Sequence, residues 1–322
     1  MNGRVRWWAG VLVPFGLLAA GRWFLPLPFL VEVLVFSVYT MACNFLLGRV
    51  GFISFGQPAY LAAGAYGTAF YLFYAGRDPL LGIAAGVATG LAVSALVGLV
   101  FVRLRSDYFA LVNLALAVIV YHLLQKVLAP WTRGDNGLWF LDRMTATPWV
   151  DLTRPEGFVW FAWGVAVAVW ALYKYLDDTV FGACCLATKT NEDKVKFLGY
   201  HDFAVRWAAF VLANTTAALA GSLYGVYFGF VSPDMASAAR AADPVVVTIL
   251  GGTGTLYGPL VGSLAYVGMK DLVSGVVGNW EFFVGVLLVV IMLAGERGIW
   301  GTLEPWLRRR WAWRRPAPAL QE

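Results

Sequence analysis

Apolar runs long enough to cross a bilayer cover most of this sequence, and they constrain the fold more than any motif does. A membrane-spanning helix needs about 20 consecutive apolar residues. Runs of that kind occupy 8–25, 29–47, 58–75, 79–102, 107–128, 157–176, 205–229, 243–270 and 279–298. Only 13% of the 322 residues are charged, about half the share usual in a soluble domain. Mean hydropathy is +0.69. Strands of a membrane barrel would alternate over segments of about 10 residues, and these runs do not alternate. The expected fold is an all-α polytopic membrane protein, a single transmembrane domain over 1–322 with about 8–10 transmembrane helices. Gly/Pro-broken or re-entrant segments and an internal repeat are part of that expectation.

Charge placement orients the spans. Arg4 and Arg6 precede the first run, which resembles a signal peptide but is read as a first helix because many spans follow. With the N-terminus inside, Arg49, Arg103, Arg105 and the stretch from Lys174 to Arg206 also fall inside, as the positive-inside rule asks. The loop 129–156 falls outside, its three arginines matched by four acids. Nine full crossings would strand the basic tail 300–322, with Arg308, Arg309, Arg310, Arg314 and Arg315, on the outside. The conflict disappears if 243–270 enters and returns on the same side. Its Gly-rich break at 251–258, followed by Pro259, supports that.

A second Gly/Pro-rich break runs from Gly48 to Tyr60, and Gly56-Gln57-Pro58 is matched here to Gly258-Pro259. Paired breaks in two halves of a transporter point to its substrate path. Small residues also recur every four positions, at Gly82, Gly86, Gly90, Ser94 and Gly98, at Ala217, Gly221, Gly225 and Gly229, and at Gly254, Gly258 and Gly262. That spacing lets helix backbones approach closely.

Enzyme signatures are missing, so no catalytic residue is assigned. His122 and His201 lie far apart, and Cys43, Cys184 and Cys185 lack metal-ligand spacing. Lys189-Thr190 is preceded by Thr188 where a phosphate loop requires Gly, so no ATP site of that kind is present. Glu32, Lys126, Asp243, Lys270 and Glu281 are read as lying near span ends, where side chains snorkel. That reading argues against an ion-coupled carrier or self-sufficient channel. Uncharged polar residues deeper in the spans remain: Ser54, Gln57, Asn113, Asn214, Thr215 and Thr248. Asn214 and Thr215 are read as helix glue. The candidate translocation path is Ser54, Gly56, Gln57, Asn113, Gly252, Gly254 and Tyr257.

The polar interruption Asp177–Arg206 is the stretch best suited to meet a partner in water. Thr190 is expected to cap a short amphipathic helix, with the acids of Asn191-Glu192-Asp193 on its N-terminal dipole and Gly199 as its stop.

Six stretches together resemble the membrane subunits of branched-chain amino acid ATP-binding-cassette importers, of the second-permease type. They are GRVGFISFGQPAYLAAGAY (48–66), RLRSDYFALVNLALA (103–117), TRGDNGL (132–138), NEDKVKFLGY (191–200), FGFVSPD (228–234) and TILGGTGTLYGPLVG (248–262). The resemblance implies a multi-pass subunit of a bacterial-type inner membrane with both termini cytoplasmic. Its partners would be two ATPase subunits that bind the ATP, a second homologous permease and an extracytoplasmic solute-binding protein. No cofactor, metal or nucleic acid is implied for this chain. Asn191, Glu192, Asp193 and Gly199 would couple to the ATPase. The cargo would be a small polar or zwitterionic solute such as a branched-chain amino acid; relatives carry urea, short amides or aromatic carboxylates. Gln57 stands where the family usually has His, and Cys184, Cys185 and Leu186 replace basic residues, so the resemblance defines the machine better than its cargo.

Overall fold

The computed structural model describes residues 25–104, 106–146, 151–190, 195, 199, 201–274, 282, 285, 286 and 298–303. The expected span 8–25 falls almost wholly outside these residues, as does most of 279–298. The remaining apolar runs are helices: α1 (Leu27–Phe45), α2 (Gln57–Phe70), α3 (Pro79–Phe101), α4 (Ser106–His122), α5 (Pro155–Asp177), α6 (Val180–Thr190), α7 (Asp202–Phe228), α8 (Asp243–Gly251) and α9 (Gly258–Ser274). Proline stands in the first turn of α1, α2, α3, α5 and α8, where its missing N–H breaks no helical bond. α1, α2 and α4 each run on into a π turn, at Leu46–Val50, Tyr71–Ala75 and Leu123–Val127.

Among the described residues, five segments are long and apolar enough to cross a bilayer: Leu27–Val50, Pro79–Phe101, Tyr108–Val127, Pro155–Asp177 and Asp202–Phe228. The first is 83% buried within the chain and the third 22%, which puts α1 at the centre and α4 at the periphery.

Small residues hold α2, α3 and α7 together, as their spacing predicts. A Cβ on Gly64 would sit 2.0 Å from the Ala218 carbonyl oxygen, and one on Gly221 would sit 1.9 Å from that of Leu61. On α3, a Cβ at Gly86 would collide with the Ser222 and Thr68 hydroxyls, and one at Gly90 with the Ala218 methyl. Backbone against backbone is the packing that such series permit. Gly254 departs from its series: it lies in a turn at φ +75°, outside either helix.

The interrupted run 243–270 is a helical hairpin. A Cβ on Gly262 would lie 2.3 Å from the Val247 carbonyl, and one on Gly251 would lie 1.9 Å from that of Gly258, so α8 and α9 touch along their backbones. α9 runs antiparallel to α1. The Thr40 and Ser263 hydroxyls are 3.1 Å apart, Val33 packs with Val267, and Lys270 pairs with Glu32. The tip of the hairpin, 252–257, therefore lies at the Val50 end of α1, where a Cβ on Gly48 would meet the Gly254 Cα at 2.5 Å. Gly298 packs on Gly252 at this end too.

The opposite end carries a feature that the all-helical expectation missed. Leu138 and Trp139 pair antiparallel with Val231 and Phe230, closing the 129–146 loop over the end of α7. The chain thus leaves this end at Val231, reaches the Gly48 end at Gly254, and returns through α9. The expected entry and return of 243–270 holds, with two changes. The descent begins earlier, in the irregular stretch 230–242, and it reaches the far end of the bundle.

Candidate functional site

Two helices begin inside the bundle. α2 starts at Gln57-Pro58 after the non-helical stretch 51–56; Tyr60 packs edge-on against Phe210 of α7, with ring centroids 5.7 Å apart. α8 starts at Asp243-Pro244, and Asp243 lines one cavity with Leu61 of α2 and with Tyr39, in the middle of the Leu27–Val50 span. Irregular backbone precedes each start, arriving from opposite ends of the bundle. The structural counterpart of Gly56-Gln57-Pro58 is therefore Ala242-Asp243-Pro244, and the match to Gly258-Pro259 does not hold. Gly258-Pro259 opens α9 at the Gly48 end instead.

The structure brings together Ser54, Gly56, Gln57 and Asn113. A Cβ on Gly56 would lie 2.6 Å from the Asn113 carbonyl, which presses the first break onto α4. Ser54, Gln57 and Asn113 are fully buried. Asn113 Nδ2 donates to the Phe109 carbonyl at 2.9 Å. Asn113 Oδ1, the Ser54 hydroxyl and both polar atoms of Gln57 have no partner among the described residues. Tyr60 OH and both amide atoms of Asn214 are in the same condition. Each such group costs about 1–3 kcal/mol if left unsatisfied. Buried polar groups of this kind are met by water or by a ligand. Asn214, read from sequence as helix glue, makes no interhelical bond among the described residues.

Gly252, Gly254 and Tyr257 are not part of this cluster; they sit in the hairpin tip. Asn44 brackets that tip, accepting from the Gly254 N–H at 2.7 Å and donating to the Thr255 carbonyl at 2.8 Å. Tyr257 lies between Trp170 and Trp300, its ring 5.4 and 5.0 Å from theirs.

A third group was misread from sequence. Asp243 is not at a span end; it lies beside Tyr39 within the bundle. Arg240 shares the cavity and pairs with Asp234, Nε to Oδ2 at 3.0 Å. The signal was present: Asp243-Pro244 is the same kind of helix start as Gln57-Pro58.

The segment after α5 is anchored to the Gly48 end. Arg49 pairs with Asp177 at 2.6 Å, and Lys189 Nζ donates to the Gly48 carbonyl at 3.1 Å. Cys184 and Cys185 are buried, while Leu186 is exposed. The helix that Thr190 is expected to cap lies outside the described residues. Thr190 itself is the last described residue of α6, and its hydroxyl donates back to the Ala187 carbonyl at 2.9 Å. Asn191, Glu192 and Asp193 lie outside the described residues. Gly199 has φ +81°, the left-handed backbone expected of a helix stop.

The family model described as "Branched-chain amino acid transport system / permease component" matches residues 25–294. The chain belongs to this permease family. Among similar proteins is the high-affinity branched-chain amino acid transport system permease protein LivM of Salmonella typhimurium. It is 24% identical over 302 residues, covering 85% of this chain and 70% of the relative. The probable branched-chain amino acid transport permease protein LivM of Methanocaldococcus jannaschii is 25% identical, over 77% of this chain and 74% of its own. The ribose import permease protein RbsC of Escherichia coli is 23% identical over 67% of each chain. No solved structure matches the chain. Within this permease, the two internal helix starts and the buried amide cluster fall inside the matched region.

Proposed function

We propose that this permease is the membrane-spanning subunit of an ATP-binding-cassette importer. It would carry a small polar or zwitterionic solute, such as a branched-chain or related amino acid, by alternating access. Separate ATPase subunits would supply the energy, a second permease would complete the pore, and an extracytoplasmic binding protein would deliver the solute. The carrying observation is the pair of proline-started helices, α2 and α8, that begin inside the bundle after irregular backbone. Backbone broken at membrane depth is tolerated only where protein buries it or a cavity receives it. The end bearing Gly48, Lys189 and Gly254 would face the cytoplasm, with the chain termini, and the segment 190–199 would dock on the ATPase.

The test is reconstitution. The ATPases, second permease and binding protein that copurify from native membranes are placed with this chain in liposomes. ATP-driven uptake of leucine is expected, and none from the chain alone. Charge reversal at Glu192 or Asp193 should weaken ATPase assembly or separate hydrolysis from uptake. Transport by the purified chain alone would make it a channel or carrier instead.

The buried amides of Gln57 and Asn113 support a second cargo. Neutral amide groups suit an uncharged hydroxylated solute as well as a zwitterion, and a ribose permease is among the relatives. Competition of leucine uptake by ribose separates the two.

A further inference from the structure

Two arginines crowd one aromatic ring at the end of the bundle away from Gly48. Arg143 Cζ lies 3.9 Å from the centroid of the Phe73 ring, and Arg133 Cζ lies 5.2 Å from it. Phe73 belongs to the π turn Tyr71–Ala75 that ends α2. A guanidinium that rests its face on a ring keeps its N–H donors along the edge, open to a third group. Arg143 spends one of them, Nη1, on the Phe73 carbonyl at 2.7 Å. Neither Arg133 nor Arg143 pairs with a carboxylate among the described residues. Of the nearby acids in the chain, Asp78 caps α3, Asp135 accepts from Gln125 at 2.8 Å, and Asp142 adjoins Arg143. Arg133 is also the only non-glycine among the described residues that holds a left-handed backbone, at φ 61°. Glycine takes that conformation without strain, so local backbone preference does not explain an arginine there.

The surroundings are those of a bilayer edge. The span Tyr108–Val127 ends here. Ile119, Leu123, Val127 and Trp131, four residues apart, are all exposed and form an apolar stripe along α4 and its π turn. The stripe ends where the Tyr74 hydroxyl donates to the Trp131 carbonyl at 3.0 Å. Tyr74 follows Phe73, and Trp131 stands two residues before Arg133. Tryptophan and tyrosine collect at the headgroup level of a membrane.

We infer that Arg133 and Arg143 form a binding site for the headgroup of an anionic phospholipid. The phosphodiester lies against the two guanidinium edges, and an acyl chain lies along Ile119, Leu123 and Val127. Arginine suits a phosphate because its in-plane donors match two of the oxygens at once. A zwitterionic lipid brings its own cation to a place that already holds two, and an anionic lipid does not. An acidic protein surface would meet the charges but not the stripe, most of which lies within the span. The site is separate from the cluster at Gln57 and Asn113, and it does not depend on what the permease carries.

Native mass spectrometry tests it on the full chain with its copurifying subunits, released from nanodiscs of equal phosphatidylglycerol and phosphatidylcholine. One phosphatidylglycerol per copy of this chain should be retained over phosphatidylcholine by about 10-fold. Arg133→Gly removes a cation and relaxes the backbone. It should melt no lower than wild type and yet lose most of that preference. Arg143→Gln should lose it too, while Arg154→Gln, whose partner is Asp151, should keep it. Soluble glycerol 3-phosphate should not displace the retained lipid; displacement by it would make this a site for free phosphate and overturn the lipid reading. Unchanged preference in folded Arg133→Gly would overturn the site, whether or not Arg143→Gln folds. Weaker capture of an acidic soluble subunit, with lipid retention unchanged, would overturn it in favour of a protein contact.

Discussion

Lys189 Nζ donates to the carbonyl oxygen of Gly48 at 3.1 Å, and so ties α6 to the turn that ends α1. The lysine stem also covers Gly51, where φ is +84° and a Cβ would lie 2.9 Å from Lys189 Cγ. Gly48 in turn touches Gly254. α6 is therefore joined to the first break directly and, through Gly48, to the second. Lys189→Met keeps the stem and removes the donor. It should leave the ATPase bound but lower uptake per ATP hydrolysed by about 5-fold or more, the lower end of typical coupling energies. Paired uptake and phosphate-release assays check it, and an unchanged ratio would remove Lys189 from the linkage.

Asn44 satisfies a donor and an acceptor of the hairpin tip with one side chain. Asn44→Leu strands both backbone groups and should destabilise the chain by about 2–4 kcal/mol. Asn44→Asp keeps the acceptor for the Gly254 N–H and should fall between the two. Thermal unfolding in detergent gives the order; equal melting of Asn44→Leu and wild type would contradict the bracket.

Glycine packing predicts a contrast within one residue type. Gly64→Ala and Gly221→Ala place a methyl inside the radius of a carbonyl oxygen and should abolish expression of folded protein. A Cβ on Gly164, in α5, has nothing within 4 Å. Gly164→Ala should be neutral or stabilising by up to about 1 kcal/mol, the helix preference of alanine. Fluorescence-detected gel filtration of the three variants compares them.

Gln57 separates a structural role from a transport role. Its two polar atoms have no partner among the described residues. If they are merely buried without a partner, Gln57→Leu removes a penalty and raises stability by about 1 kcal/mol with no other effect. As a path residue, the same variant should keep that stability and lose uptake by about 10-fold or more, a loss worth about 1.4 kcal/mol. Melting temperature and uptake measured together decide between them; unimpaired uptake would place the path elsewhere.

Much of the fold follows from local pattern. The apolar runs mark the helices because about 20 apolar residues are what a bilayer requires. The four-residue glycine series mark α3 and α7 as contact faces because helical spacing stacks them. Ser54, Gln57 and Asn113 could be chosen from sequence because polar residues deep in apolar runs are scarce. Asp243 was misread because its depth depends on where the chain begins to descend, and that starts at Val231, held by a two-residue pairing with the 138–139 strand.

By itself, the sequence determined the membrane class, the helical segments and the breaks. Each of these is a property of composition or of short-range periodicity. Only the tertiary structure decided which breaks correspond, that Gly252, Gly254 and Tyr257 stand apart from Gln57 and Asn113, and that Arg240 and Asp243 share a cavity with Tyr39. These are relations between segments far apart in the chain. They are set by which helix backbones can touch, and no local pattern encodes the partner of a contact.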